Sequence, residues 1–416
     1  MNALDRHNPE ESCMKKALVL CATVPHTLLI EKLKARGYYT LVADMNPKAP
    51  AIPLADEFVS ISAFDKEAIA EYAKENAIDL VISSCSEQAN SVSCYVGEKL
   101  GLPHPYSYET SLDVTNKGRM KKLFKAGGVT TSDFMLFKQI GELSECKLSY
   151  PLVVKPVDAY SSKGVHKANN FAELKEFAKD ALKNSRSGEG IVECYCPGVE
   201  IQVDCAAIDG KAHVLMTRSK RTLSQNSIEL NSGGSIVPAE MKAGEEEQAA
   251  DLAQKIVDAF GLVNTPFFYQ ARLNNGIISV LEFAPRIGGG LSFQMVRRAI
   301  GVDIVDLSIQ SFVGEQMTLD GKFDKPKHLS TLLLYMEPGV FGEVTGLDEL
   351  LKDGTVDYGA VLKIRGDEVD ANRTSSNRAA TLLMTADTRE ELEEKTKFVL
   401  DHIDIVDING VSRMAR

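Results

Sequence analysis

The stretch from Tyr150 to Lys167, YPLVVKPVDAYSSKGVHK, constrains this chain more than any other. An apolar strand, Leu152 to Val154, ends on Lys155 and Pro156, and a small polar turn, Ser161-Ser162-Lys163-Gly164-Val165, follows at once. A lysine at a strand end can set its ammonium against a phosphate as a point charge. A Ser/Gly turn can fold backbone N–H groups over the remaining phosphate oxygens. The pairing is neither a Walker A loop nor a GxGxxG fingerprint. Taken alone, it reads as well as a charged hairpin as it does as a phosphate cradle.

With 416 residues the chain exceeds one ordinary core, so two or three domains are expected. Residues 15 to 110 alternate strand and helix: strands at Ala17–Cys21, Thr40–Ala43, Val59–Ile61 and Leu80–Ile82, and helices ending near Gly37, Asn76 and Gly101. That alternation predicts a parallel, doubly wound sheet. Its first turn, Cys21 to His26, lacks the glycines that admit a pyrophosphate, so a nicotinamide dehydrogenase is disfavoured even though Asp44 sits where a ribose acid would. Ser84, Ser86 and Glu87 remain candidates to line a substrate cleft.

Apolar residues make up 44% and charged residues 25%, an ordinary globular balance, and the formal charge is −11. Such acidity argues against nucleic acid or an anionic membrane as a bulk partner, so any anionic ligand needs a local group of Lys and Arg. No run approaches the ~20 apolar residues of a membrane span. The polar start, MNALDRHNPEESCMKK, lacks a signal-peptide core and reads as a disordered tail over residues 1–14. The eight cysteines contain no CxxC pair and several lie in apolar runs, so reduced thiols in a cytoplasmic protein are expected.

Four further segments carry chemistry. Asn116-Lys117 opens a basic helix, and Lys117 is either a second phosphate ligand or a solvated lysine. In Val192-Glu193-Cys194-Tyr195-Cys196-Pro197-Gly198-Val199-Glu200 the Pro-Gly break leaves backbone groups for an adenine, and Glu200 can accept from ribose hydroxyls. The plain alternative is a hairpin with two exposed acids. Phe267 to Arg272, a turn at Asn274-Asn275-Gly276, and Ile277 to Phe283 form a hairpin that brings Gln270 and Glu282 together. Hard oxygens beside phosphates suit Mg²⁺. The hairpin runs into Arg286-Ile287-Gly288-Gly289-Gly290, where a guanidinium can hold a carboxylate or acyl phosphate and three glycines let the backbone pack closely. The basic loop after Arg218-Ser219-Lys220-Arg221, out to Ser235, is either a surface excursion or a lid that brings Lys220 or Arg218 to the phosphates.

In this order the segments resemble the ATP-grasp superfamily, and the resemblance covers essentially the whole chain. It resembles the carboxylate–amine ligases first, with biotin carboxylase and carbamoyl-phosphate synthetase more distant. The resemblance implies an N-terminal parallel doubly wound α/β domain (15–110), a central ATP-grasp domain (111–310) with a lid subdomain at about 150–210, and a C-terminal α+β domain (311–416). It implies ATP with Mg²⁺, or Mn²⁺ in its place, and small carboxylic acid and amine substrates, and it allows a homodimer. It casts Lys117 and Lys155 as the phosphate lysines and Ser161, Ser162, Lys163, Gly164 and Val165 as the loop over the triphosphate. Glu193 and the Cys196 backbone become adenine contacts, Glu200 the ribose contact, Gln270 and Glu282 the metal ligands, and Arg286 the anchor of the acyl phosphate.

Two residues depart from the family pattern. Gln270 stands where an acid is usual, and Ala284 stands where the usual E-x-N ends in asparagine. The leading expectation is an ADP-forming ligase joining a carboxylate to an amine. The departures keep a non-catalytic or reduced-activity ATP-binding module as a rival, and a bicarbonate-using carboxylase or carbamoyl-forming enzyme as another.

Overall fold

The computed structural model describes residues 14–159, 163–222, 232–321, 327–371 and 377–415. Residues 1–13 of the expected 1–14 tail, Ser161, Ser162 and most of the loop from Gln225 to Ser235 lie outside them. The chain divides into two compact units, one running through Ser111 and including Ser308–Gln316, the other comprising Leu112–Leu307 and Met317 onward.

The first unit is the parallel sheet that the strand–helix alternation predicts. Its strands β1 (Lys16–Leu20), β2 (Tyr39–Ala43), β3 (Glu57–Val59) and β4 (Leu80–Ile82) lie in the order β3-β2-β1-β4, all parallel. Ala17 to Leu20 are fully buried, as a strand covered on both faces must be. The helices α1 (Val24–Ala35), α2 (Lys66–Glu75) and α3 (Glu87–Leu100) bear their own punctuation. Asp65 and Ser86 cap α2 and α3 by accepting from Ala68 N and Ala89 N, and Gly101, at φ 69°, ends α3 in the left-handed region. The third strand falls two residues before the expected 59–61.

The second unit begins within α4 (Tyr108–Thr115) and continues into α5 (Lys117–Ala126), which Asn116 caps from Arg119 N at 3.0 Å. A four-stranded antiparallel sheet follows, built from β5 (Phe134–Phe137), β6 (Leu152–Pro156), β7 (His166–Ala168) and β8 (Gly190–Cys194) in the order β5-β8-β6-β7. It rests on α6 (Phe171–Asn184), with Leu152, Val154 and Val192 packed on Leu174, Ala178 and Ala181.

The larger sheet takes β9 (Val199–Ile208), β10 (Lys211–Thr222), β11 (Ser232–Val237), β12 (Thr265–Asn274), β13 (Ile277–Ala284) and β14 (His328–Tyr335). Beyond these come β15 (Gly339–Thr345), β16 (Tyr358–Val361), β17 (Glu368–Val369), β18 (Arg378–Ala386) and β19 (Asp404–Asp407). Eight strands run β13-β12-β9-β10-β11-β14-β18-β16, and β17-β15-β19 form a small separate sheet. Helices α7 (Ala243–Phe260), α8 (Ser292–Ile300), α9 (Ile304–Val313), α10 (Leu347–Lys352) and α11 (Arg389–His402) complete the chain.

Strand alternation positions the site. Ile201, Val203 and Cys205 on β9, with Phe267, Tyr269 and Ala271 on β12, enter a core shared with Phe124 of α5 and Leu252 and Ile256 of α7. The intervening Glu200, Gln202, Asp204, Gln270 and Arg272 therefore point to the other face. Among the described residues no helix is long and apolar enough to cross a membrane.

Candidate active site

Lys155 ends β6 as expected, and its ammonium meets Glu193 Oε1 at 2.7 Å. Glu193 Oε2 takes a second ammonium, from Lys121, at 3.0 Å, and accepts from Ser132 Oγ at 3.0 Å. Lys121 also donates to Thr131 and Ser132. The group is buried: Lys121 is 1% exposed, Glu193 3% and Lys155 9%. Burial alone would raise the Glu193 carboxyl, but Lys155 and Lys121 outweigh it and hold the pKa down to about 2. Burial also works against the Lys155 ammonium, yet Glu193 and then Glu282 overcome it and raise that pKa above the usual lysine value. Two ammoniums thus share one buried carboxylate: burial pushes Lys121 down, with Glu193 opposing, and Glu282 is the next anion in reach of Lys155, so the cations can turn to an anionic ligand in this low-dielectric site.

Lys117 occupies the first position of α5, where its backbone N donates to Val157 O at 2.8 Å and its ammonium to Ala159 O at 2.8 Å. Both contacts tie it to the chain leaving β6, at Val157 and Ala159. Lys163 is exposed, Val165 is half-buried and Gly164 adopts φ 70°.

The Pro197-Gly198 break is a crossover between sheets, since β8 pairs with β5 and β6 while β9 pairs with β10 and β12. The plain-hairpin alternative is thereby excluded. Gly198, at φ 105°, lies so close to β12 that an added Cβ would stand 2.2 Å from Leu273 O. Cys196 is half-buried near Glu193 and Lys121, and burial pushes its thiol up. Glu200 is held from two sides, by Lys220 Nζ and Arg272 Nη2, each at 3.3 Å.

One row crosses four strands: Arg218 of β10 pairs with Gln202 of β9, Gln202 with Gln270 of β12, and Gln270 with Glu282 of β13. The β12–β13 turn has two central residues, Asn275 at φ 49° and Gly276 at φ 81°, rather than the expected three. A bulge between Gln270 and Ala271 then shifts the ladder by one and brings Glu282 opposite Gln270. Ala284, also on β13, is buried against the core and offers no side-chain donor. Arg286 follows, 9% exposed, with its guanidinium 4.9 Å from the Phe268 ring centroid and its Nη1 donating to Ile287 O at 2.6 Å.

The structure thus gathers Lys155 and Glu193 into one contact group and Glu200 and Lys220 into another, and sets Gln270 opposite Glu282 on the β12–β13 ladder. Lys121, Arg272, Gln202 and Asp204 were missed from the sequence, although simple periods reach them. Lys121 lies four residues after Lys117 on one helix face. Gln202 and Asp204 follow Glu200 at a period of two, and Arg272 follows Gln270. His166 is engaged with Asp180, Nε2 to Oδ2 at 2.8 Å, and stacks on Phe177, a structural role.

Two segments of this chain match known families. Residues 148–294 match the ATP-grasp domain, and residues 332–407 match the L-amino acid ligase C-terminal domain 2. The chain carries both domains. It is similar to the L-arginine-specific L-amino acid ligase of Bacillus subtilis, 21% identical over 83% of this chain and 84% of the relative. Its fold is that of the L-amino acid ligase of Bacillus licheniformis, with TM-score 0.81, 22% identity, and coverage of 94% of this chain and 98% of that one. Phosphoribosylglycinamide synthetase from Anaerococcus prevotii shares the fold at TM-score 0.77 and 18% identity, over 94% and 99% of the two chains.

Proposed function

We propose that this protein is an ATP-dependent ligase that activates a small carboxylic acid as an acyl phosphate and joins it to an amine, releasing ADP and phosphate. The observation that carries the reading is the buried Lys155–Glu193–Lys121 group, two ammoniums on one carboxylate, in electrostatic reach of Glu282. The similarity over most of the chain to an L-amino acid ligase supports it and makes amino acids the first substrates to test.

Lys155 and Lys117 would hold the phosphates, with the turn through Ser161, Ser162, Lys163, Gly164 and Val165 closing over them. Glu193 and the Cys196 backbone would take the adenine, and Glu200 the ribose once it exchanges partners with Lys220 or Arg272. Gln270 and Glu282 fit one Mg²⁺, a cation commonly held by one or two carboxylates with phosphate oxygens completing its shell. Bound there, it would neutralise charge on the transferring phosphoryl group; Mn²⁺ could take the same oxygens.

The substrate carboxylate oxygen attacks the γ-phosphorus and ADP departs. The amine then attacks the acyl carbon, phosphate leaves, and the nitrogen gives up a proton. Neither step requires a protein nucleophile, so this chain's contribution is orientation and charge neutralisation. Arg286 would steady the acyl phosphate, and Lys220 would assist from the neighbouring strand. The substrates are cytoplasmic metabolites in this reading. ADP release that requires both a carboxylic acid and an amine, screened over pairs of amino acids, tests it; release that needs bicarbonate instead would move the assignment to a carboxylase.

A further inference from the structure

We propose that Asp204 is a positioning residue for the anion seat at Arg286, acting together with Arg218 and Ser292. The inference deepens the ligase reading and rests on it. Asp204 lies on the site face of β9 and is completely buried. A carboxylate there is tolerable only with matched charge around it. Its Oδ1 accepts from Gln202 Nε2 at 2.9 Å, and its Oδ2 stands 3.4 Å from Arg218 Nε. Burial pushes the Asp204 carboxyl up, and Arg218, Gln202 and Arg286 each pull it back, so Arg286 lies within its field.

The same carboxylate supports the chain that carries Arg286. A Cβ on Gly288 would fall 2.8 Å from Asp204 Oδ1, 2.6 Å from Gln202 Nε2 and 2.4 Å from Ser292 Oγ, so this backbone rests directly on the pair. Arg218 extends the support: its Nη2 donates to Ser292 Oγ at 2.7 Å, and Ser292 Oγ donates to Gly289 O at 3.0 Å. Phe268, the ring beneath the Arg286 guanidinium, is the residue paired with Asp204 across the β9–β12 ladder. The corner from Arg286 to Ser292 is therefore clamped by one network that ends on Asp204.

Neither Asp204 Oδ2 nor Arg218 Nε has a hydrogen-bond partner among the described residues. The contact between them is an ion pair at 3.4 Å, and Asp204→Asn removes its charge while keeping its shape and the acceptor for Gln202. Asp204→Asn, Arg286→Lys and the double variant form a cycle that separates positioning from plain stability. The probe is orthovanadate titrated into the protein with ADP and Mg²⁺, which reports the anion seat without a known substrate. Each single variant should weaken vanadate about tenfold, with ADP affinity held within about threefold, and the double variant should lose no more than about twofold beyond Arg286→Lys, because groups acting through one another are not additive. Fully additive losses, unchanged vanadate affinity in Asp204→Asn, or no vanadate binding by the native protein would overturn the proposal. If Asp204→Asn does not fold, Ser292→Ala keeps the charges and should still weaken vanadate; an unchanged affinity overturns the proposal equally. A native protein that binds vanadate but never releases ADP with any carboxylate–amine pair would count against the ligase reading and leave the cycle intact.

Discussion

Gln270 and Glu282 stand directly opposite each other on the β12–β13 ladder, and they do so because a bulge beside Gln270 displaces the register set by the turn. Without it Gln270 would face Leu281, and the acid would lie on the opposite side of the sheet. One amide and one carboxylate therefore share the position inferred for the metal.

Glu282→Gln should abolish turnover while leaving much of the ATP affinity, because it removes the only carboxylate of that pair and Mg²⁺ prefers anionic oxygen. Gln270→Glu should lower the Mg²⁺ concentration needed for half-maximal ADP release. Initial rates across a Mg²⁺ titration check both; normal turnover by Glu282→Gln at limiting Mg²⁺ would place the metal elsewhere.

Lys155→Ala should weaken ATP by tenfold or more, since one charge-assisted contact is worth ~1.5–3 kcal/mol. The structure adds a stability cost, because Glu193 keeps only Lys121 as a cationic partner. Lys121→Met leaves Glu193 with Lys155 but removes the donor to Glu193, Thr131 and Ser132, and should cost about 1–3 kcal/mol in the absence of nucleotide, the usual loss when buried polar partners are left unmade. Denaturant melts together with ATP calorimetry distinguish the two effects; a Lys121→Met protein of native stability would contradict the buried group.

Acid should destabilise the fold in two stages. His26 is fully buried, and burial lowers its pKa from 6.5 to about 4, outweighing the opposing effects of the Thr23 backbone and Asp44. Below pH 6.5 the unfolded chain binds a proton that the folded protein refuses, so stability falls as pH drops toward 4, by about 3 kcal/mol in all. Glu193, whose folded pKa of about 2 lies below its ordinary 4.5, contributes stability that is full above 4.5 and lost on the way to 2. Thermal melting between pH 7 and pH 3 checks the sequence of losses. His26→Asn should flatten the upper stage only, and an unchanged slope between pH 6.5 and pH 4 would contradict it.

Gly198→Ala should cost about 1–3 kcal/mol, because its Cβ would drive into Leu273 O and no neighbouring side chain can move aside to admit it. Since Gly198 joins the strand of Glu193 to the strand of Glu200, ADP affinity should fall with stability. Melting temperature and ADP calorimetry on the same variant check this; loss of neither would mean that the crossover is not under steric constraint.

The sequence made the parallel sheet legible because β1 and β4 are short apolar runs and the helices carry Asp65, Ser86 and Gly101 at their ends. Lys155, Glu193, Gln270 and Glu282 were legible as chemistry because each sits beside a turn or break that a plain strand would not need. Their partners were less so. Lys121 reads as one of several lysines on a basic helix until burial shows that its ammonium faces Glu193. Arg272 and Lys220 converge on Glu200 only through pairing across three strands, which no local pattern states. The bulge at Gln270 was invisible for the same reason: both the turn length and the compensating shift had to be known before the facing pair was fixed.

In the proposed reaction this chain couples ATP cleavage to the joining of a carboxylic acid and an amine. Steady-state ADP release, measured with Mg²⁺ over pairs of amino acids, tests it most directly. Release should require a specific pair, match the ligated product mole for mole, and disappear in Glu282→Gln. ADP release that is indifferent to every carboxylate and amine, or no release from a protein that binds ATP tightly, would contradict it.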